Sequence, residues 1–368
     1  FGGDGHSWEW VGRNKQSVPL DLKDDEGQAA FLALVEDADV LVESFRPGTL
    51  ESWGLGWETL SERNPGLVMV RTTGFGQTGP YSDRPGFGSL VEAMSGFAYS
   101  TGMAEGPPTL PPIALADSVC ALHSAFAAMT ALYWRDMGDG TGQYIDSSIL
   151  ESMFALMGDV VARYDADGQL YRRNGNTSRM TVPRNTYKTK DDRWVALSGS
   201  TENTARRILK IVGGSAEQRS ADSTSGEQSD PRDEEMVERY PDMATRIEHS
   251  ETIDERIAEW MAERTREDVV DIFEDHEAAL GPVYNMADIF EDEHFAARDA
   301  VIAVESEDGT ERRMRGVFPK LSETPGSVEH AGPELGAHAR AVLRERAGLS
   351  DDEIDALVEE GVTALREE

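Results

Sequence analysis

Short apolar segments of strand length alternate with helical segments through the first 150 residues, and this alternation constrains the fold most. Residues 38–43 and 67–73 have the pattern of buried strands, and residues 25–37 and 57–63 have the pattern of helices. Strands that alternate with helices are typical of a parallel sheet covered by helices. The sequence therefore predicts an α/β fold with a large, Rossmann-like parallel-sheet domain.

A long apolar segment runs from Ala116 to Trp134, where almost every residue is apolar or small. A helix that is apolar on all sides is typical of a buried position, so we expect this helix to lie in the core. Because no run of about 18 consecutive apolar residues is present, the sequence predicts no membrane span. A turn at residues 139–142 is followed by a predicted strand at 143–147 and a predicted helix at 148–163.

The second half of the chain combines polar, irregular segments with further strand and helix patterns. The segment 164–186 is polar and irregular, which is typical of a linker, and 213–235 is rich in Gly, Ser, Asp, Glu and Gln, which is typical of a mobile surface loop. The other predicted elements are a strand at 193–198, helices at 202–212, 251–263 and 266–278, a hairpin of 299–305 with 311–317 around Asp308-Gly309, and two acidic helices within 333–367.

Acidic residues dominate the composition along the whole length. The 69 Asp and Glu residues against 35 Lys and Arg residues give a net charge of −34. Such a surface stays soluble in concentrated salt, so we expect a halophilic protein, and a nucleic-acid partner is excluded because phosphate binding needs basic stripes. Cys120 is the only cysteine, which rules out an internal disulfide and fits a cytoplasmic location. The first residue, Phe1, lies in a glycine-rich stretch, so we expect the sequence to begin partway into a longer protein.

The segment Gly74–Gly79 matches the pattern G-x-G-x-x-G directly after a predicted strand. In dinucleotide-binding proteins a helix starts at once after this pattern and points its N-terminus at the pyrophosphate. Here Pro80 and Pro85 prevent a long helix, and Tyr99 and Ser100 occupy the place of the expected acidic residue. The pattern therefore favours a glycine-rich turn, which can still let a ligand approach the backbone closely.

Asp117 lies at the start of the long apolar helix and has two interpretations. Aspartate is favoured as a helix N-cap, although Cys120 does not complete a capping box. Alternatively, a carboxylate at a helix N-terminus is kept ionised by the helix dipole and can act as a nucleophile. The residue pattern alone leaves both open. Cys120 itself is expected to be a small core residue, and no Ser/His/Asp set or metal-ligand spacing is present.

Cations are scarce, so their positions are informative. Arg13, Lys15 and Lys23 flank one short segment, while Arg46 and Arg84 lie in loops that follow strands. Ligands bind at the carboxyl ends of parallel strands, and a polyphosphate ligand of so acidic a protein needs local positive charge. These loops are therefore candidates for phosphate contacts.

Together these segments resemble the family III CoA transferases, the group that contains formyl-CoA and carnitine CoA transferases. The matching segments are 13–17, 20–23, 38–48, 55–57, 64–65, 74–81, 84–88, 140–143 and 281–283. The resemblance is strong over residues 1–150 and weaker over 180–320. It implies a large domain built from both chain ends, a smaller α+β domain, and an interlocked homodimer. The domains implied are 1–165 (large domain, first part), 166–190 (linker), 191–290 (small domain) and 291–368 (return linker and large domain, last part). Family members carry a further segment before the residue that corresponds to Phe1, with the first strand and additional CoA contacts.

The resemblance implies that Asp117 is the catalytic residue. It also implies that CoA contacts three segments, with the residues Leu20, Asp21, Leu22, Lys23, Ser44, Phe45, Arg46, Arg84, Pro85, Gly86 and Phe87. The reaction implied is the transfer of CoA from an acyl-CoA, succinyl-CoA in the first place, to a small carboxylic acid through an aspartyl-CoA thioester. Coenzyme A is then a substrate, and neither a cofactor nor a metal is required. Backbone N–H groups of Gly74–Gly79 or of Ser198-Gly199-Ser200 suit the oxyanions that form.

Several other functions compete with this interpretation. The α-methylacyl-CoA racemases share the fold but carry a His-Asp pair where this chain has Phe87-Gly88, and neither of these residues can transfer a proton. The segments Pro85–Ser89 and Tyr99–Gly102 are similar to members that use malate, citramalate or mesaconate, and we expect mesaconate as the acceptor. Oxalate or carnitine is the alternative acceptor. A non-catalytic CoA-binding or scaffold protein is the alternative class. We expect no nucleic-acid and no membrane partner.

Overall fold

The computed structural model describes residues 5–213, 236–306 and 309–366. Its contacts divide the chain into two compact units, each of which is described separately. One unit consists of Phe1–Ala98, Leu110–Leu170 and Phe290–Glu368, and the other of Tyr99–Thr109 and Tyr171–Ile289. Both ends of the chain thus belong to the first, larger unit.

A parallel three-stranded sheet forms the centre of the larger unit, as the sequence predicted. Its strands are β1 (Val40–Glu43), β2 (Val68–Thr73) and β3 (Gln143–Ser148), in that order, with both neighbouring pairs parallel. Strand β2 is central and its first residues are buried, as expected for a strand covered on both faces. The carboxyl ends of β1 and β2 lead directly into the loops that carry Arg46 and the glycine-rich turn.

Helices surround this sheet. Those of the first 170 residues are α1 (Gly5–Val11), α2 (Asp25–Glu36), α3 (Thr49–Ser52), α4 (Trp57–Arg63), α5 (Gly88–Met94), α6 (Phe97–Ser100), α7 (Leu115–Met137), α8 (Ile149–Ala155) and α9 (Val160–Asp167). The N-terminus of α2 is capped by Asp24, whose carboxylate accepts from the backbone N–H groups of Glu26 and Gly27. Val35 of α2, Leu60 of α4 and Met69 of β2 meet in one buried cluster, which joins these helices to the sheet.

The long helix α7 carries two different stripes. A stripe of small residues packs against β2 and β3, and it comprises Ala116, Cys120, Ser124, Ala127 and Ala131. The opposite stripe consists of large apolar side chains that are 64–75% exposed, namely Leu122, Phe126, Met129, Tyr133 and Met137. The prediction that the whole helix is buried is therefore wrong for the single chain, because only the small residues face the sheet.

Helix α7 also has the length and composition to cross a membrane, unlike any other helix in the described part of the chain. This corrects the expectation that no segment is apolar enough. Its first turn contains Asp117, its last turns contain Arg135 and Asp136, and its small residues pack on a sheet. Those features are typical of a helix in a globular unit, and the absence of a membrane partner stays a prediction.

Two predicted boundaries near residue 160 are also wrong. The segment predicted as one helix at 148–163 forms α8 and α9, which are separated by a turn where Gly158 has a φ of +59°. The segment 164–186, predicted as irregular, begins with the end of α9 and ends in a strand that starts at Arg184. Glycine adopts positive φ without strain, and a single Gly inside an apolar pattern is not by itself enough to predict a break.

The smaller unit contains an antiparallel sheet of β4 (Arg184–Lys188), β5 (Trp194–Ser198) and β6 (Leu280–Pro282), with β5 in the middle. Its helices are α10 (Glu202–Gly213), Met243–Glu248, Ser250–Ala262 and Arg266–Asp275. One face of the sheet packs on these helices through a buried cluster that includes Val195, Leu197, Ile208, Ile257 and Phe273. The predicted strand at 193–198 and the helices predicted at 202–212, 251–263 and 266–278 are confirmed.

The remaining elements follow the smaller unit in sequence. They are the short helices Met286–Glu291 and Glu293–Ala297, the strands β7 (Val301–Glu305) and β8 (Glu311–Arg315), and the helices Ala339–Glu345 and Asp351–Glu359. Strands β7 and β8 pair antiparallel, which confirms the predicted hairpin, although Asp308 of its turn lies outside the described residues. Residues 214–235, which make up nearly all of the predicted mobile loop, also lie outside them.

Candidate active site

Asp117 lies in the first turn of α7, three residues after the N-cap. The N-cap is Ala114, which has no side chain that could cap the helix, so the interpretation of Asp117 as an N-cap is wrong. Among the described residues no hydrogen bond or ion pair holds its carboxylate, and the residue is exposed. A carboxylate at this end of a helix is stabilised as an anion by the dipole. Asp117 thus presents a free, accessible carboxylate.

Gly88, the first residue of α5, lies directly against this carboxylate. A Cβ atom placed on Gly88 would overlap Oδ2 of Asp117, so the absence of a side chain makes room for the carboxylate. The preceding residue, Phe87, is 71% exposed. Neither residue has an ionisable side chain, and the chain therefore has no proton-transfer pair at the position where the racemases carry His-Asp.

A second carboxylate supports the N-terminus of α7 from α5. Glu92 is only 2% exposed, and its Oε1 accepts a hydrogen bond of 3.2 Å from the backbone N–H of Ala116. It thereby satisfies one of the donors that an Ala N-cap leaves unpaired. Val91 and Ala116 also share a buried cluster with Met153 of α8. Helix α5 therefore positions the turn that carries Asp117 by packing and by a hydrogen bond.

The glycine-rich turn after β2 is held by close backbone approaches. A Cβ on Gly74 would come within 2.6 Å of the Cα of Gly86, so both positions require glycine. Asp146 of β3 accepts the backbone N–H of Gln77 at 2.9 and 3.0 Å, and Gly76 has a φ of +86°. No long helix follows this turn, as predicted, because α5 begins only at Gly88. The turn is thus fixed by residues from three segments.

The segment Leu20–Lys23 precedes α2, and its two leucines have packing roles. Leu20 lies against a cluster that contains Ala30 and Leu343, while Leu22 packs on the cluster of α2, α3 and β2. Asp21 caps a turn, since its Oδ1 accepts the backbone N–H of Lys23 at 2.9 Å. Lys23 is exposed, so its ammonium group is accessible to a phosphate.

The loop Ser44–Arg46 leaves the end of β1 and is anchored by a buried ion network. Arg71 of β2 contacts the Glu43 carboxylate at 2.8 Å and the Glu51 carboxylate at 2.7 Å. The second oxygen of Glu43 accepts the backbone N–H of Phe45 at 2.7 Å, and the Phe45 ring stacks edge-on against Trp53. This network fixes the direction of the loop and leaves Arg46 exposed.

The loop that contains Arg84 and Pro85 brings a cation onto an aromatic ring. The Arg84 guanidinium lies 3.7 Å from the centre of the Tyr81 ring, and Tyr81 contacts Phe75 of the glycine-rich turn. Gly86 abuts Gly74, and Phe87 precedes the residue beside Asp117. The predicted site residues of this loop thus lie along one continuous path to the carboxylate. Among the described residues, no side-chain hydrogen bond or ion pair joins this loop to Leu20–Lys23.

The other predicted residues fall in different places. Arg13 and Lys15 line a cavity of about 360 Å³ together with Arg315, where burial and the charge of Arg315 lower the pKa of Arg13. Cys120 is buried, as predicted, with its Sγ 3.4 Å from Oγ of Ser147. Ser198 and Ser200 lie in the smaller unit, their hydroxyls 2.7 Å apart.

Sequence reasoning missed four residues that build this site. Gly88 provides space, Glu92 caps α7, Asp146 holds the glycine-rich turn, and Arg71 anchors the loop after β1. Each acts on a partner at least 20 residues away, so no local pattern indicates it. Glu92 is an acidic residue among apolar and small neighbours. This was the one sequence feature that could have indicated a buried carboxylate.

The chain is similar to known proteins over most of its length. The model of CoA-transferase family III matches residues 1–339. The chain is 37% identical to the succinyl-CoA–D-citramalate CoA-transferase of Chloroflexus aurantiacus over 350 residues, which cover 95% of this chain and 83% of that one. It is 33% identical to the succinyl-CoA:mesaconate CoA-transferase of Haloarcula hispanica, over 94% of this chain and 83% of that one.

Among solved structures, a CAIB/BAIF family protein from Brucella suis superposes with a TM-score of 0.77. The two sequences are 25% identical, and the match covers 94% of this chain and 84% of the other. The family match over residues 1–339, the relatives above 30% identity and the shared fold all lead to one conclusion. The chain belongs to CoA-transferase family III and is an enzyme that transfers CoA between acyl-CoA thioesters and carboxylic acids.

Proposed function

We propose that this enzyme transfers CoA from succinyl-CoA to a short dicarboxylic acid, with mesaconate as the first candidate, and that Asp117 carries the intermediates. The observation that supports this most is the exposed carboxylate of Asp117 in the first turn of α7, with space made by Gly88 and no competing partner among the described residues. A covalent role requires a carboxylate oxygen that the substrate can reach. The exposed side chain of Asp117 offers such an oxygen.

The first half of the reaction loads CoA onto the enzyme. An Asp117 oxygen attacks the carbonyl carbon of succinyl-CoA, the C–S bond breaks, and CoA leaves as a thiolate with a mixed anhydride left behind. The thiolate then attacks the aspartyl carbonyl carbon of the anhydride. Succinate leaves as a carboxylate, and Asp117 becomes an aspartyl-CoA thioester.

The second half runs the same steps with the acceptor acid. A carboxylate oxygen of the acceptor attacks the aspartyl thioester and expels the CoA thiolate, so a new mixed anhydride forms. The thiolate attacks the acceptor's carbonyl carbon, which yields the new acyl-CoA and returns Asp117 as a carboxylate. No net proton or electron is exchanged, so the reaction requires no metal or redox cofactor. Backbone N–H groups of the Gly74–Gly79 turn are candidates to stabilise the oxyanions.

Coenzyme A is proposed to bind along three segments of the larger unit, namely Leu20–Lys23, Ser44–Arg46 and Arg84–Phe87. The cations Lys23, Arg46 and Arg84 are exposed in a chain of net charge −34. The phosphate groups of CoA are the anions that these side chains would bind. The ion network of Arg71 and the stacking of Arg84 on Tyr81 hold two of these segments in place.

The choice of acceptor follows from the sequence and the relatives. The relatives are named for D-citramalate and mesaconate, which are both short dicarboxylates. Malate completes the set expected from the sequence, and oxalate and carnitine are the alternatives. A racemase is disfavoured because Phe87 and Gly88 offer no base beside the carboxylate.

We further propose that the enzyme is a homodimer. The exposed stripe of α7 leaves five large apolar side chains in contact with solvent in the single chain. Fully burying one such side chain stabilises a protein by about 2 kcal/mol. A second copy that covers this helix would therefore be held by a substantial hydrophobic free energy. The interlocked arrangement is the form that the family resemblance implies.

The covalent role of Asp117 is tested by trapping. Incubation with succinyl-CoA and hydroxylamine is expected to convert Asp117 into a hydroxamate, detected as a mass shift on its peptide. Asp117→Asn should lose turnover by several orders of magnitude and keep its melting temperature, because an amide cannot form the anhydride and no hydrogen bond to a described residue is lost. A screen of acids against succinyl-CoA, read by mass, identifies the acceptor.

Asp136→Asn is the matched control, since it removes a carboxylate from the other end of the same helix. It breaks only the surface contact with Arg135 and should keep full turnover. Normal turnover in Asp117→Asn, or an adduct on another carboxylate, would show that Asp117 is not the nucleophile.

A further inference from the structure

The sheet of the smaller unit has one face that its own helices do not cover. Side chains alternate along a strand, so the neighbours of the buried Val195 and Leu197 in β5 point to the opposite face. Ala196 and Ser198 therefore lie on this open face, and their cross-strand partners in β4, Thr186 and Arg184, lie beside them.

A cavity of about 470 Å³ lies over this face and is lined entirely by residues of the smaller unit. Its polar lining includes Arg184, Thr186, Ser198 and Asn176, and its apolar lining includes Ala196 and Leu280. Gly281 pairs with Ala196 and also lines the cavity, where a Cβ atom would meet nothing within 4 Å. The absence of a side chain at Gly281 therefore keeps this part of the cavity open.

Of the described residues that line this cavity, only Arg184 is charged. Its guanidinium forms no ion pair or hydrogen bond with any residue in the described ranges, in a chain where 69 acidic residues compete for 35 cations. Asp254 of the helix Ser250–Ala262 also contacts β4, but its carboxylate accepts from Asn185 at 3.1 Å and from the hydroxyl of Tyr187, on the face of the sheet opposite to Arg184. An unpaired guanidinium in an acid-free concave site is suited to an anion.

The hydroxyl groups around Arg184 complete a carboxylate site. Ser198 faces Arg184 across the two strands, and its hydroxyl contacts that of Ser200 at 2.7 Å, so one of the two can donate to a ligand. Asn176 already donates to Thr186 Oγ1 at 2.7 Å, which leaves the Thr186 hydroxyl proton available. The adjoining apolar wall of Ala196 and Leu280 suits a short hydrocarbon chain.

We propose that this cavity binds the free carboxylic acid substrate, with one carboxylate on Arg184 and the carbon chain against Ala196 and Gly281. The inference rests on the proposed function and deepens it, because it assigns recognition of the acid to the smaller unit. Arg184 is a specificity-determining residue on this view. A phosphate of CoA is the other anion that Arg184 could bind, because it offers the same kind of negatively charged oxygen. The experiment distinguishes these two ligands.

The test separates the two substrates kinetically. Arg184→Gln should raise KM for the acid roughly ten- to hundredfold, because a hydrogen bond to a charged group contributes about 1.5–3 kcal/mol. The KM for succinyl-CoA should change less than about twofold on the same reasoning. Arg184→Lys should recover part of the loss, since it restores charge without the bidentate geometry.

A second variant tests the cavity without touching the charge. Gly281→Val places a side chain into open space at ordinary φ, so it should fold normally and still raise KM for the acid. Arg207→Gln is the control, because Arg207 is a cation of the same unit that pairs on the surface with Glu277. It should leave both KM values unchanged.

Direct binding separates this inference from the proposed function. Mesaconate, malate and CoA are each titrated calorimetrically into Asp117→Asn, with and without Arg184→Gln. Loss of acid binding alone on Arg184→Gln supports the proposal even if Asp117 fails the trapping test. The proposal would be overturned if Arg184→Gln raised KM or Kd for CoA and not for the acid, or if it changed the dimer mass measured by light scattering. Unchanged acid binding in Arg184→Gln, with Asp117 still trapped in the wild type, would also overturn it.

Discussion

The carboxylate of Asp117 depends on two residues of helix α5 with opposite roles. Glu92 is buried and its carboxylate caps α7, while Gly88 contributes only the absence of a side chain. One carboxylate is thereby used for structure, and the other is left free for chemistry. Because Glu92 of α5 accepts from the N-terminus of α7, Asp117 is not needed as its cap.

Gly88→Ala should therefore lower turnover without unfolding the protein. The new Cβ would occupy the position of Asp117 Oδ2, and the exposed carboxylate has to rotate away because the backbone of α5 is fixed by Val91. We expect a fall in kcat of at least about tenfold, since a misplacement of 1 Å is costly at a reacting centre. Thr59→Ala, at an exposed residue of α4 outside the candidate site, is the control. Equal kcat values for wild type and Gly88→Ala would contradict this role for Gly88.

A second residue-scale prediction concerns Glu51, whose pKa is lowered mainly by its hydrogen bonds to Arg71. A carboxyl group with a depressed pKa stabilises the fold above its unfolded pKa of about 4.3, and this contribution is lost as pH falls through the folded value. The difference in unfolding free energy between wild type and Glu51→Gln should be constant near neutrality and shrink below about pH 4. Denaturant titrations at several pH values measure it. A difference that stays constant down to about pH 3 would count against the pairing.

At the scale of elements, α7 combines a sheet-facing stripe of small residues with an outward stripe of large apolar ones. The small residues allow the helix to lie close to β2 and β3, and the large ones have no partner in the described part of the single chain. In the proposed homodimer this helix belongs to two interfaces, one within the chain and one between the two copies. Two such interfaces would account for apolar residues on both stripes of α7.

Phe126→Asp should weaken the proposed dimer. A charge in the centre of a buried apolar contact costs several kcal/mol unless it is paired, so we expect monomers or unfolding on dilution. Light scattering with circular dichroism at several concentrations measures both outcomes. Ala121→Asp places the same charge on an exposed part of α7 away from the stripe and should leave the mass unchanged. A folded, active monomer of the wild type would rule out the interlocked arrangement.

At the scale of the whole molecule, the net charge of −34 sets the response to salt. Most of the ion pairs are on the surface, where each contributes little, so repulsion among the surplus acids dominates. The cytoplasmic location and the halophilic character stay predictions.

The melting temperature should rise with KCl, because the Debye length falls from about 10 Å at 0.1 M to about 3 Å at 1 M and screens the repulsion. Thermal unfolding from low to molar KCl measures this rise, and turnover should follow it. Sucrose at matched osmolality adds no ions and should raise the melting temperature less. Identical melting temperatures at low and high KCl would remove the basis for a salt-adapted protein.

The sequence by itself was sufficient for the parallel sheet, most helix positions and the segments that resemble the family. Strand and helix periodicity is a local property, so the alternation of segments around β1 and β2 predicted the sheet directly. The segment around Asp117 was found in the same way, because family motifs are contiguous in sequence.

Only the tertiary structure decided what surrounds those segments. It showed that α7 starts at an alanine cap supported by Glu92, that Gly88 makes room for Asp117, and that Arg71 anchors the loop after β1. It also showed that the Arg184 guanidinium lines a cavity of the smaller unit and has no ion-pair partner in the part of the chain that the structure describes. These relations join side chains that are 20 or more residues apart or depend on which face of an element is covered. Neither property leaves a periodic pattern, because both arise from packing and not from the local conformation of the chain.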